Sequence, residues 1–230
     1  MGANAVTTVP VYVAGEVLTA ADLNITNSGI PVFATTTTRD AAFGGTGEKT
    51  LAEGQFAYIE ATDQTQYYSG TSWLALGGKL GQVVSTTKTD TFTMASTTYA
   101  DVTGLSVSIT PSSATSKILV MAQVSAMGSV NTALGYGQFV RGSTAIGIGD
   151  ASGSRVQSTF VIPFGGVSSV LFTESPMFLD SPATTSATTY KIQIRSENTN
   201  TIYVNRSEQD NNNVAGGRPI STITVMEILA

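Results

Sequence analysis

The C-terminal two thirds of the chain, residues 81–230, consist of short β-type segments separated by turn residues. In residues 190–195, Tyr190, Ile192 and Ile194 alternate with polar residues, a period of two that is typical of a half-buried strand. Arg141-Gly142-Ser143-Thr144 is the clearest hairpin turn. This pattern predicts an antiparallel, jelly-roll-like β-sandwich in an all-β protein. The candidate strands are 105–110, 117–127, 137–141, 144–148, 155–161, 167–174, 189–196, 201–205 and 221–229.

Two of these segments do not alternate. Ile118-Leu119-Val120-Met121-Ala122 and Val170-Leu171-Phe172 are apolar at every position, so both faces of each strand need cover. A second sheet of the same chain could cover the additional face, or another subunit could. Because exposed apolar surface favours association, we expect an oligomer rather than extra cover within the chain.

The composition excludes several function classes. The sequence has no His and no Cys, which removes the commonest general base, the usual zinc ligands, thiolate nucleophiles and disulfides. Its net charge of −5, with only 11 basic residues, argues against a nucleic-acid partner. We therefore expect a protein that is not an enzyme and has no catalytic residue, cofactor or metal. Thr and Ser make up about a quarter of the residues, which suits a neutral, hydroxyl-rich β surface.

Residues 1–30 are predicted to form an extended arm. They contain neither a secretion signal nor an apolar run of about 18 residues, so we expect synthesis in a cytoplasm and no membrane insertion. Thr19 and Asp22 form a capping-box pattern for one short helical turn. The apolar residues of the arm have no partner of their own, which makes it a candidate docking segment. The candidate docking residues are Val11, Tyr12, Leu18 and Leu23.

Residues 31–80 are predicted to form a small β unit. Thr37-Thr38-Arg39-Asp40 is a second capping-box match that indicates a short helix through Phe43, and Phe56-Ala57-Tyr58-Ile59 reads as a strand. Ser69-Gly70-Thr71-Ser72 is predicted to be the turn of a hairpin. The aromatic residues beside this turn are expected to form the hairpin core, with a sugar-binding platform as the alternative; they are Tyr67, Tyr68 and Trp73. A glycine-rich joint at residues 77–81 separates this unit from the β-sandwich of residues 81–230.

A glycine-rich stretch and a polar run are two further candidates for a functional motif. Gly44-Gly45-Thr46-Gly47-Glu48-Lys49-Thr50 is not a phosphate-binding loop, because Glu48 stands where that motif requires Gly. The polar run near residue 210 reads as a loop at one end of the sandwich, and it is either a plain solvated loop, a receptor contact or a calcium site. The candidate contact residues are Asn205, Arg206, Asp210, Asn211, Asn212 and Asn213.

The sequence resembles tailed-bacteriophage structural proteins. Residues 8–24 contain Gly15-Glu16-Val17-Leu18-Thr19-Ala20-Ala21-Asp22-Leu23-Asn24, which is similar to a "G-x-x-L-T-A-x-D-L-N" stretch common near the N-termini of these proteins. Tyr67-Tyr68-Ser69-Gly70-Thr71-Ser72-Trp73 and the ending Ser221-Thr222-Ile223-Thr224-Val225-Met226-Glu227-Ile228 also match, in the order seen in phage tail and fibre proteins. The chain departs from large fibres because it lacks a long repetitive shaft.

The resemblance implies a virion fibre or minor tail protein, usually a homotrimer. Its arm would bind other virion proteins, and its C-terminal domain would attach to a glycan or protein on the host surface. A capsid decoration or head fibre is the first alternative. A polysaccharide depolymerase that uses carboxylates such as Asp150 and Glu174 is the second.

Overall fold

The computed structural model describes residues 15, 17, 29–44, 49–129 and 134–229. The chain divides into two compact units, Met1–Gly78 and Lys79–Ala230. The predicted all-β class is confirmed, because the regular structure is almost entirely β-strand. Most of the predicted arm, including the capping-box turn at Thr19, lies outside the described residues. In the part of the chain that the structure describes, no helix has the length and apolarity to span a membrane.

The N-terminal unit contains a four-stranded sheet in the order β1-β2-β3-β4. β1 and β2 are parallel, and the other neighbours are antiparallel. The predicted hairpin is confirmed: Tyr68 pairs with Trp73 across the turn. A small core of Phe33, Ala57 and Ile59 packs beneath the sheet. The elements are β1 (Val32–Phe33), α1 (Thr36–Ala41), β2 (Phe56–Ile59), a turn of 3-10 helix (Glu60–Thr62), β3 (Gln64–Tyr68) and β4 (Trp73–Ala75).

The predicted short helix is present as α1, but its cap differs from the expected one. Thr35 is the N-cap: its hydroxyl accepts from the backbone N–H of Thr38, and the Thr38 hydroxyl accepts from the backbone N–H of Thr35. The pattern that begins at Thr37 is therefore displaced by two residues. The run of threonines offers several equivalent capping patterns, and the chain uses the first one that follows extended backbone.

The C-terminal unit is a β-sandwich of two sheets. Its strands are β5 (Leu80–Lys88), β6 (Phe92–Met94), β7 (Ala100–Ile109), β8 (Lys117–Gly128), β9 (Gly135–Arg141), β10 (Thr144–Ile146), β11 (Phe160–Ile162), β12 (Phe172–Glu174), β13 (Met177–Asp180), β14 (Thr188–Ser196), β15 (Ile202–Val204) and β16 (Ser221–Ile228). One sheet has the order β10-β9-β14-β7 with β11 also paired to β9; we call it sheet A. The other has the order β5-β16-β8-β15-β6, with β12 and β13 also paired to β8; we call it sheet B.

The core of the sandwich follows from the alternation of the strands. Tyr190, Ile192 and Ile194 are fully buried, as the period of two predicts. They belong to the same apolar cluster as Val120 of β8 and Val225 of β16, so the inner faces of both sheets contribute to one core. The residues between these buried positions therefore point to the outer face of each sheet.

Three strands were not expected from the sequence, and two begin later than predicted. β5 has only three apolar residues among nine, β6 is only three residues long, and β13 follows a proline, so their apolar pattern is weak. The strands expected at 155–161 and 167–174 begin only at Phe160 and Phe172. The residues before Phe160 form a loop that lies against sheet A.

Candidate functional site

The candidate docking residues of the arm cannot be placed on the fold. Val11, Tyr12, Leu18 and Leu23 all lie outside the described residues. Their role in docking stays a prediction from the sequence.

The outer face of sheet B presents a row of apolar side chains across four strands. Val83 pairs with Met226, Met226 with Leu119, and Leu119 with Leu179. Val83 is 50% exposed and Leu179 is 46% exposed, while the two central residues are half-buried. These four residues, together with Met121 and Met177, form what we call the apolar face.

The row from Val83 to Leu179 and the row beside it are the two central rows of the apolar face, and neither contains a charged residue. The second row joins Ser85, Thr224, Met121 and Met177, and Met177 is 67% exposed. The predicted two-sided character of β8 is thus visible: Ile118 and Val120 are fully buried, whereas Leu119 and Met121 on the opposite face are not. Contiguous exposed apolar side chains of this kind mark interaction surfaces.

The sheet of the N-terminal unit has a similar outer row. Phe56 pairs with Tyr67, and Tyr67 with Leu74. Phe56 and Leu74 are each about two fifths exposed. Each of the two compact units therefore has its own apolar row on the face of a sheet.

The candidate contact residue Asn205 is fully buried. Its backbone is left-handed, with φ of 58°, and its amide donates to the backbone carbonyls of Lys88 at 2.9 Å and Asp90 at 3.0 Å. The Ser221 hydroxyl donates to its amide oxygen at 2.6 Å. The structure thus gives Asn205 a structural position and not a surface one, because every polar atom of its side chain is already bonded.

An ion pair between Arg206 and Asp210 stabilises the loop that follows β15. The Arg206 guanidinium pairs with the Asp210 carboxylate at 3.1 Å and lies 4.8 Å from the centre of the Tyr203 ring. Asp210 also pairs with Arg218, which the sequence reasoning did not select. The spacing of four residues between Arg206 and Asp210 could have indicated the first pair, but nothing in the sequence indicates the contact with Arg218. These three charges close the base of the loop.

The tip of the same loop is open to solvent. Asn211, Asn212 and Asn213 are exposed, as is Val214 beside them. Asn213 also shapes the turn, because its side-chain oxygen accepts from the backbone N–H of Ala215 at 2.9 Å. Of the six candidate contact residues, the three consecutive asparagines are therefore the ones that the structure places on an accessible surface.

The aromatic residues of the hairpin do not share one face. The Trp73 ring packs against the rings of Tyr68 and Phe43. Its centre lies 5.6 Å from that of Tyr68 and 5.8 Å from that of Phe43. The Arg39 guanidinium covers the Trp73 ring at 4.7 Å, whereas Tyr67 lies on the opposite face of the sheet. The interpretation as a hairpin core is confirmed for Trp73, which packs against the small core of the N-terminal unit, while Tyr68 is half-buried beside its ring.

Asp150 and Glu174 do not form a carboxylate pair on one element. Asp150 lies in the exposed loop between β10 and β11 of sheet A, while Glu174 lies on β12 of sheet B and pairs with Val124. In the described ranges, no group of three or more Asp and Glu residues could hold a metal ion.

No protein-family model matches the sequence, and no curated protein matches it. Solved structures with some similarity include a chain of the infectious bursal disease virus Gx strain, with 12% identity, a TM-score of 0.35 and coverage of 76% of this chain and 48% of that one. A chain of the Gt strain has 13% identity, a TM-score of 0.35 and coverage of 80% and 50%. The VP2 subviral particle of the same virus has 12% identity, a TM-score of 0.30 and coverage of 85% and 52%. The chain spans about half the length of these proteins, and TM-scores this low do not assign it to their fold.

Proposed function

We propose that the chain is a structural subunit of a bacteriophage particle, a short fibre that attaches the particle to its host. Residues 1–30 would dock onto other virion proteins, and the C-terminal β-sandwich would face outward. Three copies would associate through the apolar face. The observation that supports this proposal best is the uncharged apolar row from Val83 to Leu179.

The apolar face supports an assembly because it would be costly to leave in water. Sheets normally have polar residues on a solvated face, yet Val83, Met226, Leu119 and Leu179 occupy one continuous row here. Because neither of the two central rows contains a charged residue, contact between copies of this face would place no like charges next to each other. A closed, symmetric oligomer would cover this face in every copy.

The loop after β15 supports the attachment role. Its base is fixed by Arg206, Asp210 and Arg218, while its asparagine tip stays exposed. Asparagine side chains offer both donors and acceptors, which suits the hydroxyl groups of a host glycan or the polar groups of a protein. Several copies on one particle would raise the overall affinity of weak single sites.

We propose no catalytic role. The sequence has no His and no Cys, and Asp150 lies in an exposed loop next to sheet A whereas Glu174 lies on β12 of sheet B. Incubating the purified chain with host polysaccharide should release no reducing sugar. Release that is lost in an Asp150→Asn variant would favour a depolymerase instead.

Immunogold labelling of particles with an antibody against the chain tests the placement. The proposal predicts labels at the tips of the tail. Labels over the head would contradict the tail position and favour a capsid decoration or head fibre protein. A variant that lacks residues 1–30 should remain folded but should be missing from purified particles.

The attachment role has its own test. Purified full-length chain should compete with particles for host cells and reduce their adsorption. Unchanged adsorption at a saturating concentration of the chain would contradict host attachment.

A further inference from the structure

A cavity of about 330 Å³ lies on the outer side of sheet A. Gln138 of β9 and Arg195 of β14 contribute from the sheet, and Tyr99 contributes from the segment just before β7. Ile148 and Arg155 contribute from the loop between β10 and β11. The volume is at the small end of the range for ligand pockets. We call it the arginine pocket.

The arginine pocket contains two arginines that form no ion pair with a described carboxylate, unlike the other arginines of the domain. Arg141 pairs with Asp180, and both Arg206 and Arg218 pair with Asp210. The other two arginines of the domain, Arg155 and Arg195, have no carboxylate within 4.0 Å among the described residues. No Asp or Glu is among the residues that line the pocket. In a chain with a net charge of −5, this is a local excess of positive charge.

Each guanidinium keeps N–H donors for a ligand. Arg155 donates to the Ser152 hydroxyl at 3.0 Å, and Arg195 donates through Nε to the backbone carbonyl of Ser196 at 3.2 Å. The Arg195 guanidinium also lies 5.9 Å from the centre of the Tyr99 ring, which limits its movement. A guanidinium has five N–H groups in a planar fork that matches a carboxylate or phosphate. Both side chains are therefore held in place with donors to spare.

The pocket is fixed by hydrogen bonds before any ligand arrives. The Tyr99 hydroxyl donates to the backbone carbonyl of Gln157 at 2.8 Å, which ties the loop to the sheet. Burial raises the pKa of Tyr99 to about 12, so this hydroxyl keeps its proton near neutral pH. The Gln157 amide donates to the Gly149 carbonyl at 2.7 Å, within the loop. Such preorganisation lowers the cost of binding.

A chain of hydrogen bonds between side chains orients the amide of Gln138, which lies on the floor of the pocket. Lys191 pairs with Asp101 at 2.7 Å, and Asp101 accepts from Gln193 at 2.7 Å. Gln193 in turn accepts from the amide of Gln138 at 2.9 Å. Gln138 is 8% exposed, so its position is set by this chain of hydrogen bonds and not by solvent.

We propose that the arginine pocket binds an acidic sugar unit, one that bears a carboxylate or a phosphate, in a polysaccharide of the host surface. The two guanidiniums would pair with the anionic group, and Gln138 and Ser154 would bond to hydroxyls. Ile148 and Val156 provide apolar surface for the C–H face of a sugar ring. This proposal rests on the attachment role proposed above and adds to the loop after β15 a second contact site, on sheet A, with a stated class of ligand.

Titration of the full-length chain with three defined oligosaccharides tests the pocket. Oligogalacturonate provides carboxylates, a phosphomannan oligosaccharide provides phosphates on sugar rings, and a maltooligosaccharide is neutral. We expect binding of at least one acidic oligomer, weakened by added salt, and no binding of the neutral one. Tighter binding of oligogalacturonate would identify a carboxylate sugar, and tighter binding of the phosphate oligomer would identify a phosphate sugar. Absence of binding to both acidic oligomers, or equal binding of the neutral one, would overturn the proposal.

Variants locate the binding. Arg155→Gln and Arg195→Gln should each weaken binding of the acidic oligomer by about tenfold or more, since each removes a charge-assisted contact. Lys117→Gln, which removes an exposed positive charge from sheet B, should leave the affinity unchanged. Arg155 is exposed on a loop, so its variant should fold even if Arg195→Gln does not. Equal affinity of Arg155→Gln and the wild type would contradict the site.

The pocket and the attachment role can fail separately. If the full-length chain blocks particle adsorption but binds no acidic oligomer, the attachment role stands and the pocket assignment is wrong. If the chain binds an acidic oligomer through Arg155 but does not block adsorption, the pocket stands and the attachment role is wrong.

Discussion

Met226 of β16 and Leu119 of β8 are directly paired, and both lie on the face of sheet B that is turned away from the core. Their chain neighbours Val225, Ile118 and Val120 are fully buried on the other face. A strand pair that is apolar on both sides fits an assembly better than an isolated sandwich.

Charges placed at the ends of this row should separate the copies. We expect the double variant Val83→Glu, Leu179→Glu to elute as a monomer in size-exclusion chromatography with light scattering, because association would bury like charges. Both positions are about half exposed, so the fold should tolerate the change. The control is Thr103→Glu, Ser106→Glu, at exposed positions of β7 in sheet A, and it should keep the wild-type mass. A wild-type mass for the first variant would contradict the role of the apolar face.

Replacing Asn205 should destabilise the fold although the residue was selected as a contact residue. Asn205→Ala removes the bonds to Lys88, Asp90 and Ser221 and places alanine at a φ of 58°. We expect a loss of roughly 3 kcal/mol in the free energy of unfolding, measured in urea. The exposed Asn212→Ala should change this free energy by less than about 0.5 kcal/mol. Similar values for the two variants would contradict the structural position of Asn205.

Gly137 should not accept a side chain. A Cβ atom there would lie 2.0 Å from the ring of Phe160, which is paired with Gly137 across the strands. Gly137→Ala should therefore lower the free energy of unfolding by about 2 kcal/mol, because the ring must move. Gly149→Ala is the matched control, since a Cβ atom there meets no atom within 4 Å. Equal stability of both variants would show that Phe160 does not cover Gly137.

Glu227 should make the stability of the sandwich depend on pH. Burial by itself would raise the pKa of Glu227, but hydrogen bonds from the Ser112 hydroxyl and backbone N–H, both at 2.6 Å, and from Gln82 hold this pKa below its usual value. A lowered pKa in the folded state stabilises the fold above the pKa of the unfolded chain, near pH 4.3 to 4.5, and this contribution is lost as the pH falls further.

The variant Glu227→Gln isolates this effect. At pH 7 its free energy of unfolding should be about 2 kcal/mol lower than that of the wild type, because the variant loses the charged hydrogen-bond acceptor. The difference should shrink as the pH falls from 5 to 3, measured by urea unfolding at each pH. Asp90 and Asp101 also have lowered pKa values, next to Lys88 and Lys191, but they are common to both proteins and cancel in the comparison. A difference that is constant with pH would contradict the charged state of Glu227.

The strands that could be predicted are those whose burial shows in the local pattern. The alternation of residues 190–195 and the apolar run in β8 each indicate a strand without knowledge of its neighbours. β5 gave no such signal, because Gly, Gln, Ser and Thr fill five of its nine positions and its stability comes from pairing with β16. Tertiary pairing decides such segments.

The candidate site was less predictable because it depends on contacts between distant residues. Arg155 and Arg195 are forty positions apart in the sequence, and only the packing of a loop onto sheet A brings them to one pocket. Asn205 illustrates the opposite case. The residues that follow it are polar and suggest a solvated loop, yet its side-chain amide forms three hydrogen bonds in the interior.

Native mass spectrometry of the full-length chain at micromolar concentration measures whether copies of the chain associate. We expect a dominant species of three times the 23.8 kDa of one chain, in which copies cover the apolar face. A dominant species of 23.8 kDa would contradict it, since an exposed apolar face would then be stable in an isolated subunit.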